Sequence, residues 1–106
     1  MTARIDVRNG TVHIPADVAD RYFDGIDAVV VLIRDGLLWI LPVRQTAAGG
    51  CLLKRRNLAG DRVASAPDVF HANHLDDWVA SKLEATWSAD RGALIAEIGN
   101  CKLSLQ

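Results

Sequence analysis

Gly10-Thr11-Val12-His13-Ile14-Pro15 leads through a short helical signal into Val29-Val30-Val31-Leu32-Ile33-Arg34-Asp35-Gly36-Leu37-Leu38-Trp39-Ile40-Leu41-Pro42. The order reads as a strand, a helical turn and a strand pair. Asn9-Gly10 and Asp35-Gly36 are the dipeptides of a two-residue type I′ turn, in which both central residues need positive φ. With Asn9-Gly10 at a turn, Val7 faces Val12 and Ile5 faces Ile14, while Asp6, His13, Arg8 and Thr11 take the opposite side. That hairpin has one apolar face and one polar face.

The second hairpin is different. Asp35-Gly36 pairs Ile33 with Leu38, Leu32 with Trp39, Val31 with Ile40 and Val30 with Leu41, so both faces are apolar. A sheet apolar on both sides has to be covered on both sides. In so small a chain a second subunit is one way to supply the outer cover. Val30, Leu32, Trp39 and Leu41 are therefore the candidate interface, and a homodimer is the expected state. Pro42, which donates no ladder hydrogen bond, places the strand end or an edge there.

Between the hairpins Pro15 opens a helix over 15–23, with Val18, Ala19 and Tyr22 on one face and Asp17 and Arg21 four residues apart. Residues 44–50 are polar and glycine-rich and read as a connection. A third hairpin follows, 51–56 with 61–65, turning through Asn57-Leu58-Ala59-Gly60. Pro67-Asp68 opens a helical turn. Leu75, Trp78, Val79 and Leu83 recur at helical spacing and predict a second helix near 75–86; the alternative is a late hairpin of Leu83 to Trp87 with Ala93 to Ile98. No internal repeat of fixed period is visible.

These elements define a mainly β fold with short helices: a small barrel-like or hairpin-built single domain over 1–106, with a swapped hairpin as a variant. At 106 residues such a domain buries roughly 65% of its unfolded surface, enough for a core without staples. Half of the residues are hydrophobic and 24% are charged, a globular profile. Net charge −1 gives no global positive field for nucleic acid. The longest apolar run, Ala28 to Ile33, is far short of the roughly 20 residues of a spanning helix. Cys51 and Cys101 stand alone, without zinc-ligand spacing. A cytoplasmic protein with no cofactor, no metal and no membrane partner is expected.

The order strand, Gly-x-Val-x-Ile-Pro, short helix and strand pair ending Leu38-Trp39-Ile40-Leu41-Pro42 resembles the swapped-hairpin family of AbrB-type and MraZ-type regulators and MazE-type antitoxins. The resemblance spans at most Arg4 to Val43. It implies two subunits interlocked into one barrel on DNA. Thr11 stands where that family usually carries a basic residue after the first glycine. Gly60-Asp61 also looks like the Gly-Asp turn of related cradle-loop barrels.

Candidate chemistry is sparse. Pairing Arg56 with Asp61 sets Arg55 opposite Arg62, with Lys54 and Arg44 nearby, and like charges in register call for an anion between them. Arg44, Lys54, Arg55 and Arg62 are the candidate anion- or partner-binding set; the plainer reading is a solvated hairpin with splayed arginines. His71 and His74 near Asp76 and Asp77 lack a third metal ligand, and His13 opposite Asp6 lacks a nucleophile. Cys51 after Gly49-Gly50 is a nucleophile candidate beside the commoner buried strand thiol. Trp39, Trp78 and Trp87 read as core or interface anchors. No catalytic residue is assigned. The function expected is a non-catalytic accessory module that dimerises and engages a protein partner, with a DNA-binding regulator or antitoxin as the alternative.

Overall fold

A computed structural model describes residues 2–43 and 50–98. The chain runs β1 (Thr2–Arg8), β2 (Thr11–Ile14), α1 (Ala16–Tyr22), β3 (Ala28–Arg34), β4 (Leu37–Val43), β5 (Cys51–Arg55), β6 (Arg62–Ser65), α2 (Pro67–Ala72), β7 (Val79–Ser88) and β8 (Ala93–Glu97). All eight strands close into one antiparallel barrel in the order β1-β2-β6-β5-β3-β4-β8-β7, with β7 returning to β1. Closure removes every open sheet edge.

The first three hairpins follow from their turn residues and alternation. Val7 pairs with Val12, Leu32 with Trp39 and Arg55 with Arg62, as the turn positions dictate. Asn9 and Asp35 take φ of 50° and 55°, followed by Gly10 and Gly36 at 79° and 77°. These are the two consecutive left-handed residues of a type I′ turn. Pro15 is the residue before α1 rather than its first member, and Phe23 follows its end.

The second helix expected near 75–86 is absent. Only Pro67–Ala72 is helical there, and residues 79–88 form β7, paired with both β1 and β8. The late hairpin takes its place. Its disguise has a specific cause. Ile5 pairs with Leu83 but Val7 pairs with Ala80, so β7 carries one extra residue in a bulge, and Lys82 there has φ of 55°. Of the four residues that predicted a helix, Leu75 and Trp78 precede β7 and pack on the core, Val79 is exposed, and the bulge turns Leu83, four residues on from Val79, to the opposite, core side. The Lys82 N–H freed from the ladder donates to Asp6 Oδ1 at 2.8 Å.

The barrel has a symmetry that no sequence period announces. Exchanging each strand with the one four places on leaves the strand order unchanged. Each half is a hairpin, a short helix and a hairpin, yet within a half the two hairpins never pair with one another. All joins between hairpins cross from one half to the other: β1 with β7, β2 with β6, β3 with β5, β4 with β8. The turns obey the same exchange. The β1–β2 turn meets the start of α2, where Ala66 N–H donates to Gly10 O at 2.9 Å. The β5–β6 turn meets the start of α1, where Ala16 N–H donates to Asp61 Oδ1 at 2.8 Å.

Inside, Ile5, Val7, Val12, Ile14, Val29, Leu38, Ile40 and Leu94 are fully buried, and the helices add Val18, Ala19 and Phe70, with Phe23 just beyond α1. Trp87 stacks on Tyr22 at 4.9 Å and meets Phe23 edge-on at 6.3 Å. Trp78 lies over Phe70 at 6.2 Å. No polar or charged residue of the described chain is buried.

Candidate functional site

Because the interior is filled by one face of each strand, the second apolar face of the β3–β4 hairpin points outward. Val30 pairs with Leu41 and Leu32 with Trp39, and β8 extends the row with Ile95 beside Trp39. These side chains are half-buried, each shielding its neighbours across the strands. Arg91, on the β7–β8 turn, lays its guanidinium over the Trp39 ring at 5.2 Å to the centroid, a cation–π contact that covers part of the face. That turn is fixed by the Gly92 N–H on Ser88 O at 2.8 Å and the Arg91 N–H on Ser88 Oγ at 3.3 Å. A groove of about 370 Å³ runs here, lined by Leu32, Arg34, Trp39, Leu41, Asp90 and Arg91. The Trp39 indole N–H is buried without an acceptor. All four candidate interface residues therefore share one surface, with charges of both signs at its rim.

The candidate cationic set is divided. Arg44 lies outside the described residues. Lys54 and Arg55 are exposed, and Arg56 with them. Arg62 is in register with Arg55 but is employed internally: its Nη2 donates to Ile26 O at 3.0 Å and to Leu53 O, and Asp27 Oδ1 stands 3.9 Å away. Its side chain is only 17% exposed. The arginines in register thus do different work, one closing the barrel and one facing water.

The sequence singled out neither Arg56 nor Asp61 for what they do here. Asn57 and Asp61 form a closed loop, Asn57 Nδ2 donating to Asp61 Oδ2 at 3.0 Å and Asp61 N–H donating to Asn57 Oδ1 at 3.2 Å. The Asn57 side chain first, and the Ala16 N–H second, hold the Asp61 carboxyl below its usual range. Arg56 and Arg8 both lie near His13. Burial chiefly, then Arg8 and Arg56, push the His13 imidazole down against the weaker pull of Asp6. His13 Nδ1 is buried with no hydrogen-bond partner.

The remaining candidates fall apart in space or find local partners. His71 Nδ1 bonds the Asp76 carboxylate at 3.0 Å, and among the described residues no group of His, Cys, Asp and Glu is placed to hold a metal. Cys51 is half-buried at the start of β5, and burial pushes its thiol up, away from nucleophilic thiolate. Cys101 lies outside the described residues. No helix among the described residues is long and apolar enough to cross a membrane. Comparison with protein-family models, with curated proteins and with solved structures finds no match to this chain.

Proposed function

We propose that the chain is a non-catalytic accessory module of the cytoplasm that pairs with a second copy of itself through the outer face of β3, β4 and β8, and in that state engages a protein partner. The observation that carries this reading is the row Val30–Leu41, Leu32–Trp39–Ile95, apolar side chains directed outward from a barrel whose core is already complete. A second copy fits it because the rim carries Arg34 and Arg91 together with Asp90 and Glu97. A two-fold axis passing between the two signs would set each against its opposite. Half-buried apolar side chains that become fully covered contribute about 1 kcal/mol each, half of the full-burial value. Sedimentation velocity over a concentration series tests this: a monomer–dimer equilibrium is expected for the natural chain and a monomer for Leu32→Ser with Trp39→Ser. A natural chain that stays monomeric at high micromolar concentration overturns it.

The alternative of a DNA-binding regulator is favoured by one observation, the exchange symmetry of the barrel. Two interlocked hairpin–helix–hairpin units are what the resemblance to swapped-hairpin regulators implies, here within one chain. Duplex binding that falls steeply with salt, as released counterions require, supports that reading; no binding at low salt removes it.

A further inference from the structure

The β5–β6 hairpin brings exposed apolar and exposed cationic side chains together. Among the described residues the large apolar side chains standing in water are Leu58 (99% exposed), Val79 (58%) and Leu52 (53%), and two of these three belong to this hairpin. Leu58 sits at its apex. Lys54, Arg55 and Arg56, all exposed, come directly behind it, and residues 50–60 contain no acidic side chain.

The apex is built to stay in place. Arg56 N–H donates to Asp61 O at 2.7 Å and Gly60 N–H to Asn57 O at 3.2 Å, and the Asn57–Asp61 side-chain bonds and the Asp61 contact to Ala16 anchor the loop to α1. Asp61, the nearest carboxylate in sequence, spends both oxygens on those bonds. A leucine fixed fully in water gains nothing within its own fold; covering it from outside contributes the full transfer free energy.

We propose that this hairpin docks the protein onto an anionic lipid surface, Leu58 entering the headgroup–acyl boundary while Lys54, Arg55 and Arg56 lie against the negative headgroups. A bilayer offers apolar depth beneath a plane of charge at every point, which suits one apolar apex backed by cations. A nucleic-acid duplex offers such depth only where base steps are opened. The expectation of no membrane partner rested on the lack of a spanning run; surface docking needs none. With a net charge of −1 the attraction is local and screened beyond about 8 Å at physiological salt.

Co-sedimentation of the full chain with phosphatidylcholine vesicles, and with the same vesicles containing phosphatidylserine, tests the proposal. Binding to the anionic vesicles alone, released by salt, is expected. Replacing Lys54, Arg55 and Arg56 together by Ser lowers the partition coefficient about a hundredfold, and Leu58→Ser lowers it about tenfold. Leu58→Trp binds at least as well, and its emission shifts to the blue on anionic vesicles. Val79→Ser, on another strand, leaves binding unchanged. Leu58 touches little within the fold, so its variants carry the test even where the triple variant is unstable. The proposal is overturned by absence of binding at low salt, by binding indifferent to Leu58→Ser, or by duplex DNA that binds as tightly and loses affinity with the same substitutions.

Discussion

Asp61 and Ala16, 45 residues apart in sequence, are joined by a 2.8 Å hydrogen bond from the Ala16 N–H to the Asp61 carboxylate. Helix α1 begins after Pro15, which has no side chain able to cap it. Its first N–H groups are orphans that a local Ser, Thr or Asp normally satisfies. Here the cap comes from the other half of the barrel, and its negative charge also suits the positive end of the helix.

Asp61→Ala is expected to lower the melting temperature by freeing both the helix start and Asn57, with Asp61→Asn less harmful because an amide oxygen still accepts. The carboxyl is held below its usual value of 3.8. Its stabilisation is therefore fully present above that value and lost as pH falls through the lowered one. Thermal melts across acid pH should show this limb in the natural chain and not in Asp61→Asn.

His13 should titrate below 6.5 in the folded protein, because burial and the nearby Arg8 and Arg56 oppose its charging. The unfolded chain then takes up the proton first. Stability is complete above pH 6.5 and declines as pH falls from there toward the folded value. Replacing Arg56 by Gln should move the His13 NMR titration upward and flatten that decline.

Two glycines of the same backbone conformation should respond unequally to alanine. Gly36 has φ of +77° with open space where a Cβ would stand, so Gly36→Ala carries only the left-handed penalty, about 1 kcal/mol. Gly10 has φ of +79°, but its Cβ would lie 2.9 Å from Pro67 Cα. Gly10→Ala should cost at least twice as much, since backbone at the start of α2 must move. Denaturant melts of the two variants measure the difference.

In a Cys101→Ser background, Cys51 should react with iodoacetamide far more slowly than a free thiol at neutral pH, and speed up on unfolding. Burial at the head of β5 raises its pKa. A fast reaction in the folded state would restore it as a nucleophile.

Local chemistry made three of the four hairpins legible: Asn9-Gly10, Asp35-Gly36 and the Asn57–Gly60 loop fix registers that the alternation of Val7, Val12, Val31 and Ile40 then supports. The fourth hairpin was obscured because Leu75 and Trp78, before the strand, and Leu83, within it, all pack on the core at intervals that a helix would also produce. A barrel-like build was legible, but the order in which the hairpins join to close it was not, because the joins link residues as distant as Thr2 and Thr86, and nothing local encodes them. The outward row around Trp39 was visible as an excess of apolar residues. Arg62 was misleading for a related reason: sequence gives its strand partner but not the Ile26 and Leu53 carbonyls that hold its guanidinium.

The seams of the barrel are unequal. Strands β1 and β7 pair from Thr2–Thr86 to Arg8–Val79, whereas among the described residues β3 and β5 pair only at Ala28–Leu52 and Val29–Cys51. Gly50 stands at the head of that short seam, where a Cβ would lie 2.9 Å from the Val29 carbonyl oxygen. The ring is thus fastened by one clasp, and local opening should begin there. In hydrogen–deuterium exchange the Leu53 amide, bonded to Asp27 O at 2.8 Å, should lose protection well before the amides of β1. The parting of the clasp would leave a curved eight-stranded ribbon, its two free borders able to accept a strand from elsewhere.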